Sequence, residues 1–563
     1  MQNTKKAARL ILLLVLSVAV FALVGGVMAQ DGGKVLVSGR QMSNSDIPTL
    51  DPSLMQDVPS VQVAWELSPG LARVDEETSA VQPGLATSWD VSDDGTVYTF
   101  HIMEGVPWVH YNADSGAVEQ VMDESGNPRM LTAGDFAYGI TRTLSAEVAS
   151  PYVYVLQPWI VGAYDFFDNG DASVLGLNVI DDQTLEVTLP IGSSIAPVIF
   201  DLWVTFAQPQ WVIDEFGEFW TDPENMVSFG PFALKEWERG DGGSLTMIKN
   251  PFWPGTDSIP QSMLDEVTFR FLDQEAQLVE FEAGSLDVGE VPNSAIDRIK
   301  ADPTLSAGYF TGPGACTYYY GFNSEHAPFD DARVRRAFSM AIDRQAIVEN
   351  VTRAGESPAG FFALPSLNAV PHQADYPGMG ISSDPDAAQA LFQEYLDETG
   401  QQASDITPTL LYNDSSLHAS VAQAVQQMWS ETLGVNVQLT VQDFATYLAE
   451  RGNFDIYRAA WCYDYPDAHN EYYDVGFHSD LLPENDTHWS NADYDALVDQ
   501  AFVESDTQAR TDLYAQADNI LVNTEAAIAP IYFYVTKDIT QPYVTRTHSL
   551  IAREAYEKWD INR

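Results

Sequence analysis

The chain has 563 residues, with 81 acidic against 27 basic side chains and a formal net charge of −54. Such a field repels phosphate backbones and excludes nucleic-acid binding. An apolar fraction of 45% with 12% aromatics excludes an acidic disordered tail too, because that much apolar surface packs into a core. The acidic residues are spread along the whole chain, which reads as a solvated shell rather than a patch built to attract cations.

Lys5, Lys6 and Arg9 precede the apolar run Leu10 to Val24, and Val27-Met28-Ala29 supplies small or tolerated residues before Gln30. This pattern predicts a secretory signal peptide over residues 1–29. The run is short against the roughly 20 residues of a spanning helix, which favours cleavage over an anchor. No cysteine lies near the cut, so a lipid anchor is not expected. The roughly 530 residues that follow exceed what one hydrophobic core serves, so two or three domains are expected.

Lys34 to Ser38 reads as a strand, and Pro48, Pro52 and Pro59 mark an irregular stretch. Val97 to Ile102 and Thr184 to Leu189 alternate apolar and polar positions after turn residues, which predicts two more strands. Between them, Thr132 to Thr143 reads as a helix and Pro151 to Phe167 as an aromatic-rich loop. Asp331 to Val351 is predicted as one helix, capped by Asp330 and stapled by Phe329. Leu417 to Leu433 is a second helix closed by Gly434, followed by a strand over Val435 to Val441. Gln508 to Val522 is a third helix, and Ile528 to Val535 a buried strand. Strands alternating with helices predict α/β layers with substantial parallel pairing. With no repeat and no low-complexity linker, domains are expected to be joined by crossing strands.

The chain has two cysteines. Cys316 opens Cys316-Thr317-Tyr318-Tyr319-Tyr320, and Cys462 sits in Trp461-Cys462-Tyr463-Asp464-Tyr465-Pro466-Asp467. Exported cysteines tend to pair, and pairing would bring Trp461, Asp464 and Asp467 to the first motif. Catalytic signatures are missing: the sequence has no phosphate-binding Gly-Lys-Ser/Thr loop, no His-Glu-x-x-His or repeated Cys-x-x-Cys, and no Gly-x-Ser-x-Gly elbow. Neither an enzyme, a metal site nor a cofactor is expected. Paired carboxylates of the glycosidase kind carry no weight in a chain this acidic. His101, His110, His372 and His488 have no clustered partners in sequence.

Several segments in order resemble the oligopeptide-binding proteins of ABC importers, in the extracellular solute-binding protein family 5 that also includes dipeptide and nickel receptors. They are Leu50-Asp51-Pro52, Thr87-Ser88-Trp89, Phe229-Gly230-Pro231-Phe232, Phe329-Asp330-Asp331-Ala332-Arg333-Val334-Arg335-Arg336-Ala337-Phe338, Trp489-Ser490-Asn491-Ala492-Asp493-Tyr494-Asp495 and Ala529-Pro530-Ile531-Tyr532-Phe533-Tyr534. Both cysteine segments, Leu411-Tyr412-Asn413 with Leu417-His418, and Ala149-Ser150-Pro151-Tyr152 resemble the oligopeptide branch. The resemblance implies a three-domain α/β fold of the periplasmic-binding-protein kind (class II, enlarged), with two lobes around a ligand cleft. One lobe would comprise residues 30–68, 212–315 and 531–563, an inserted domain 69–211, and the other lobe 316–530. It further implies a monomeric receptor, secreted across the cytoplasmic membrane to the periplasm or the outer face of the membrane. That receptor delivers an oligopeptide ligand to ABC importer permease subunits in the membrane.

The resemblance also implies residue roles. Cys316 and Cys462 match the pair that the branch joins by a disulfide. Asp464 matches the carboxylate that holds a peptide's α-ammonium, since an enclosed cation needs an opposite charge. Gln56-Asp57-Val58 and Ala460-Trp461-Cys462 match stretches that pair with the ligand backbone as strands do. Tyr152, Phe444 and Trp461 match aromatic pocket walls. Arg451, Arg458 and His418 match groups that meet a C-terminal carboxylate or acidic side chains, and Asn413 lies in a pocket segment. Thr352 stands where a lysine is expected, with Arg353 beside it; Gln56 replaces an acidic group, and Phe444 replaces a common tryptophan.

Plainer roles stay open from the residues alone. Asp464 can cap a turn before Pro466, Trp461 and Phe444 can be core aromatics, Arg458 can pair with Asp455, and His418 can face solvent. Another solute on the same fold (an oligosaccharide stacked on the aromatic walls, or a metal chelate) and a secreted acidic hydrolase are the competing functions.

Overall fold

In the computed structural model, the described residues are 33–563 apart from 41–45, 194, 241, 482–484 and 552. The signal read over residues 1–29 lies outside them. Among the described residues no helix is long and apolar enough to cross a membrane.

An 11-stranded mixed sheet forms the frame. From one edge its strands are Phe232–Glu238, Ser244–Lys249, Glu266–Phe271, Val35–Arg40, Val288–Glu290, Ile528–Thr540, Tyr309–Phe322, Ile456–Cys462, Thr409–Asn413 and Gln438–Gln442, with Ser357–Pro358 against Ile528–Thr540. Parallel pairing is confined to two places. Val35–Arg40 runs parallel to Glu266–Phe271 and meets Val288 in the same sense, and Thr409–Asn413 runs parallel to Gln438–Gln442 and Ile456–Cys462. The long central strands are antiparallel, so the expectation of substantial parallel pairing holds only at the flanks. A separate four-stranded antiparallel sheet contains Ala86–Val91, Val97–Ile102, Thr184–Thr188 and Leu177–Asp181.

The strands Tyr309–Phe322 and Ile528–Thr540 tie the two halves of the large sheet together. Tyr309 to Pro313 pairs with Ile539 to Val535, and Thr317 to Gly321 pairs with Phe533 to Ile528. The register breaks between Pro313 and Thr317, where Pro313 has no N–H to donate. The strand from Ile528 outruns its predicted end at Val535, set there by the polar run Thr536, Lys537 and Asp538. Their backbone is held by Tyr309 to Gly312 and by Glu290, a pairing with no trace in the local pattern.

The predicted helix Asp331 to Val351 is broken. Asp331, not Asp330, caps Ala332–Met340 by accepting from the Arg333 N–H. Asp343 caps a new short helix, Arg344–Ile347, through the Ala346 N–H. Buried Arg344 donates to the carbonyls of Ser339 and Ile342, groups a continuing helix would have used itself. Phe329 packs as expected, its ring 4.9 Å from Phe338. Ser416–Leu433 is helical and ends at Gly434 in the left-handed region, φ 73°, where glycine has no Cβ to clash. The strand after it starts at Gln438 rather than Val435, and the predicted helix Gln508 to Val522 is Thr507–Asn519 followed by a wider turn. Within Pro151 to Phe167, Val153–Leu156 and the start of Ala163–Asn169 are helical rather than loop.

Candidate functional site

The strand Ile456–Cys462 and the loop after it position the site. It lies beside Tyr309–Phe322 with Thr317 opposite Trp461, Tyr320 opposite Arg458 and Cys316 opposite Cys462. Cys316 and Cys462 form a disulfide across this register, closing the strand pair where the loop begins. Among the described residues no cysteine is free.

At the loop end, Asp464 gathers groups from distant parts of the chain. The Tyr152 hydroxyl donates to Asp464 Oδ1 at 3.2 Å, and Asn470 Nδ2 donates to Asp464 Oδ2 at 3.2 Å. Both donors are neutral, and among the described residues no cation pairs with this carboxylate. Burial pushes it up to about 6, against the lowering effect of those two hydrogen bonds. Burial also pushes Asp474 up to about 7, with Asp464 adding like-charge repulsion. Glu471, buried beside them, is raised well above the carboxylate range by desolvation and by Asp518 and Asp464. Tyr152 packs edge-on against Trp203 at 5.0 Å, and Trp461 Nε1 donates to Asn470 Oδ1 at 3.2 Å. Asp57 bears on Tyr152 electrostatically, which brings it to the same end.

At the other end stands Arg458, 7% exposed. Its Nη1 donates to Asn413 Oδ1 at 3.2 Å and its Nη2 to Tyr534 Oη at 2.6 Å, with the guanidinium 4.8 Å above the Tyr318 ring. Its Nε is buried without a partner, and among the described residues no carboxylate pairs with it. Asp455, the plain alternative, is taken by His326 and Thr409. His418 lies beside the same Tyr318, 5.6 Å between rings, and is buried rather than solvent-facing. Burial, and then Arg458, push His418 down to about 2, so it stays neutral at ordinary pH. Tyr534 also lines a cavity of about 550 Å³ with Gly312, Pro313, Phe361, Pro371 and Phe533. That volume lies in the range of small-ligand pockets.

The structure thus brings together Asp464, Trp461, Tyr152, Asp57, Ala460 and Cys462 at one end, and Arg458, His418 and Asn413 at the other. The other expected positions have these surroundings. Arg451 is consumed by Asp486, its Nε donating at 2.5 Å, so its charge is already met. Phe444 is 39% exposed on the helix Phe444–Glu450, against Tyr447, rather than enclosed as a pocket wall. Val58 is the first residue of the helix Val58–Leu67, capped by Asp57 through the Ser60 N–H, so it does not continue a strand; Gln56 is exposed just before it. Residues that sequence reading missed are Asn470, Asp474, Glu471 and Tyr534. For Asn470, Glu471 and Asp474 the only trace was polar side chains set among aromatics in Asp467-Ala468-His469-Asn470-Glu471-Tyr472-Tyr473-Asp474, and Tyr534 closed the segment Ala529 to Tyr534 without a role assigned.

Among the described residues no group of His, Cys, Asp or Glu is arranged to hold a metal ion. Residues 80–480 match the family of bacterial extracellular solute-binding proteins, family 5. The chain is 30% identical over 518 residues to the periplasmic oligopeptide-binding protein OppA of Escherichia coli, covering 89% of this chain and 88% of that protein. It is 32% identical over 512 residues to the probable deoxycholate-binding periplasmic protein YgiS of the same organism, covering 90% and 89%. The solved structure of the Escherichia coli murein tripeptide binding protein MppA superposes with a TM-score of 0.77 at 28% identity, covering 95% of this chain and 99% of that one.

Proposed function

This chain belongs to the bacterial extracellular solute-binding proteins, family 5, and from that membership we propose that it captures oligopeptides outside the cytoplasmic membrane and hands them to an ABC importer's permease. The family consists of solute receptors. The observation that carries the peptide reading is a pair of unmet charges on one strand and its loop. Asp464 has only neutral donors, and Arg458 has only neutral acceptors. Buried charges without partners are costly, so both are arranged for a ligand that brings an ammonium to one and a carboxylate to the other.

A peptide is such a zwitterion, and its length can be bounded. At about 3.3 Å per residue, the stretch from Arg458 to Asp464 spans at most roughly 20 Å. An extended peptide of about three to five residues fits that reach. Its backbone would pair with Ala460 to Cys462, its side chains would meet Trp461 and Tyr152, and His418 and Asn413 would flank the carboxylate end. Closure of the two lobes, residues 30–68 with 212–315 and 531–563 against 316–530, would hinge where the long strands lose register at Pro313 to Thr317. In this reading the ligand leaves unchanged, as a solute receptor's must.

The YgiS relative, named for deoxycholate, motivates a second reading in which the solute is an amphipathic organic anion. Asp464 counts against it, because an anion with one carboxylate answers Arg458 and brings no cation to Asp464. The test is native purification with mass spectrometry of any retained ligand, then calorimetry with tri- to pentaalanine and with deoxycholate. Binding of intact alanine peptides is expected. Deoxycholate binding without peptide binding would overturn the reading, and reproducible peptide cleavage would restore the hydrolase.

A further inference from the structure

We propose that Asn470 is a positioning residue that locks Asp464 and Trp461 into one cation-reading unit, an inference that rests on Asp464 receiving the ligand's ammonium. Asn470 is fully buried, so it acts on a ligand through the groups it holds. Its side-chain amide is saturated. Oδ1 accepts from Trp461 Nε1 at 3.2 Å and from the Asp464 backbone N–H at 3.0 Å, while Nδ2 donates to Asp464 Oδ2 at 3.2 Å and Asp474 Oδ2 at 3.0 Å. An asparagine offers two donors and two lone pairs, and here each meets a group of the opposite kind, which fixes which way the amide points.

The bonds close a ring. Asp474 Oδ2 also accepts from the Tyr465 hydroxyl at 2.6 Å, and Tyr465 follows Asp464 in sequence. Neighbours Asp464 and Tyr465 are therefore tied to Asn470 and Asp474, the two ends of a single π-helical turn, Asn470–Asp474. Such wide turns recur at functional sites because they re-aim side chains that a regular helix would rotate away. Within the ring, the Asp464 carboxylate keeps one neutral donor on each oxygen, Tyr152 on one and Asn470 on the other, and its remaining lone pairs stay open for a cation. Neither an aspartate nor a leucine fulfils this role at 470. An aspartate faces two carboxylate oxygens with its own, and a leucine strands the Trp461 and Asp464 N–H groups.

The test measures affinity by calorimetry for the tightest-binding alanine peptide and its N-acetyl form, in native protein and in Asn470→Ser, Asn470→Asp and Tyr465→Phe. Both Asn470 variants are expected to lose about tenfold in affinity for the free-amine peptide while the acetylated peptide changes little. Tyr465→Phe, which removes one hydroxyl from the ring and keeps the packing, should show the same selective loss in smaller measure, so the proposal stays testable if the Asn470 variants do not fold. In an Asp464→Ala background the Asn470 effect should vanish. Equal weakening of both peptides, or a loss that persists without Asp464, would assign Asn470 a merely structural role and overturn the inference. If Asp464→Ala itself leaves the free-to-acetylated ratio unchanged, the amine-reading role of Asp464 falls and this inference with it.

Discussion

Asp464 and Asp467 share one loop and differ in their partners. Asp467 is buried in a two-pronged ion pair with Arg510, at 2.6 and 2.7 Å, while Asp464 is half-buried among neutral donors. The arginines divide the same way: Arg451 is met by Asp486, and Arg458 is met by an amide and a phenol. Elsewhere both cases occur: Arg73 pairs with Glu557 and Arg553 with Asp201, whereas buried Arg344 has only neutral acceptors. What marks the candidate site is therefore neither residue type nor burial. Arg344 and Asp518 also lack an internal counter-charge, so the mark is an unmet anion and an unmet cation set together on one strand and its loop, which a ligand carrying both charges completes.

The sharpest way to break this comparison is Asp464→Ala. A ligand ammonium left unpaired in a closed cleft costs about 3–5 kcal/mol. Affinity for a free-amine peptide should then fall by on the order of a hundredfold or more, since about 1.4 kcal/mol is tenfold. Calorimetry with a peptide and its N-acetyl form reads this directly, and equal affinity of the native protein for the two would remove the role. Next in size is the contrast between the arginines. Arg458→Gln deletes a charged hydrogen bond to the ligand carboxylate, a loss of about 1.5–3 kcal/mol. Arg451→Gln should instead strand Asp486, lowering the melting temperature while affinity stays within about twofold. Identical behaviour of the two variants in paired melting and binding assays would erase the distinction.

The smallest effect is the pH dependence. Burial raises Asp464 to about 6 in the free protein, and only its ionised form pairs with an ammonium. Binding must therefore expel a proton below pH about 6. Affinity should be flat above about pH 7 and fall up to tenfold per unit below 6. Calorimetry at pH 6 in two buffers of different ionisation enthalpy should register proton release, and its absence would show that Asp464 is ionised before the ligand arrives. The linked stability effect has the opposite sign. Asp464, Asp474 and Asp518 are all raised by burial, to about 6, 7 and 7, so their share of the ligand-free protein's stability is lost as pH rises through those values.

Much of this molecule is legible in one dimension. The strand Val97–Ile102 and the helix closed by Gly434 follow from local chemistry, alternation and a glycine stop, and the Cys316–Cys462 disulfide was implied by the family resemblance. The break after Met340 was not legible, because Arg344 reaches across to carbonyls that a helix-period pattern assigns to the helix itself. Nor was the extension of Ile528–Thr540 through a polar stretch, since its hydrogen bonds come from Tyr309 to Gly312. Sequence placed Arg458 and Arg451 among the candidates on equal terms, with Asp464 ahead of both. Only the tertiary structure separated them, by setting Asp486 against one arginine and amides and phenols against the other groups. Local sequence determines what a side chain can offer; whether that offer is met inside the protein depends on residues brought from far along the chain. Tyr152 reaches Asp464 across 312 positions, and no local pattern encodes that meeting.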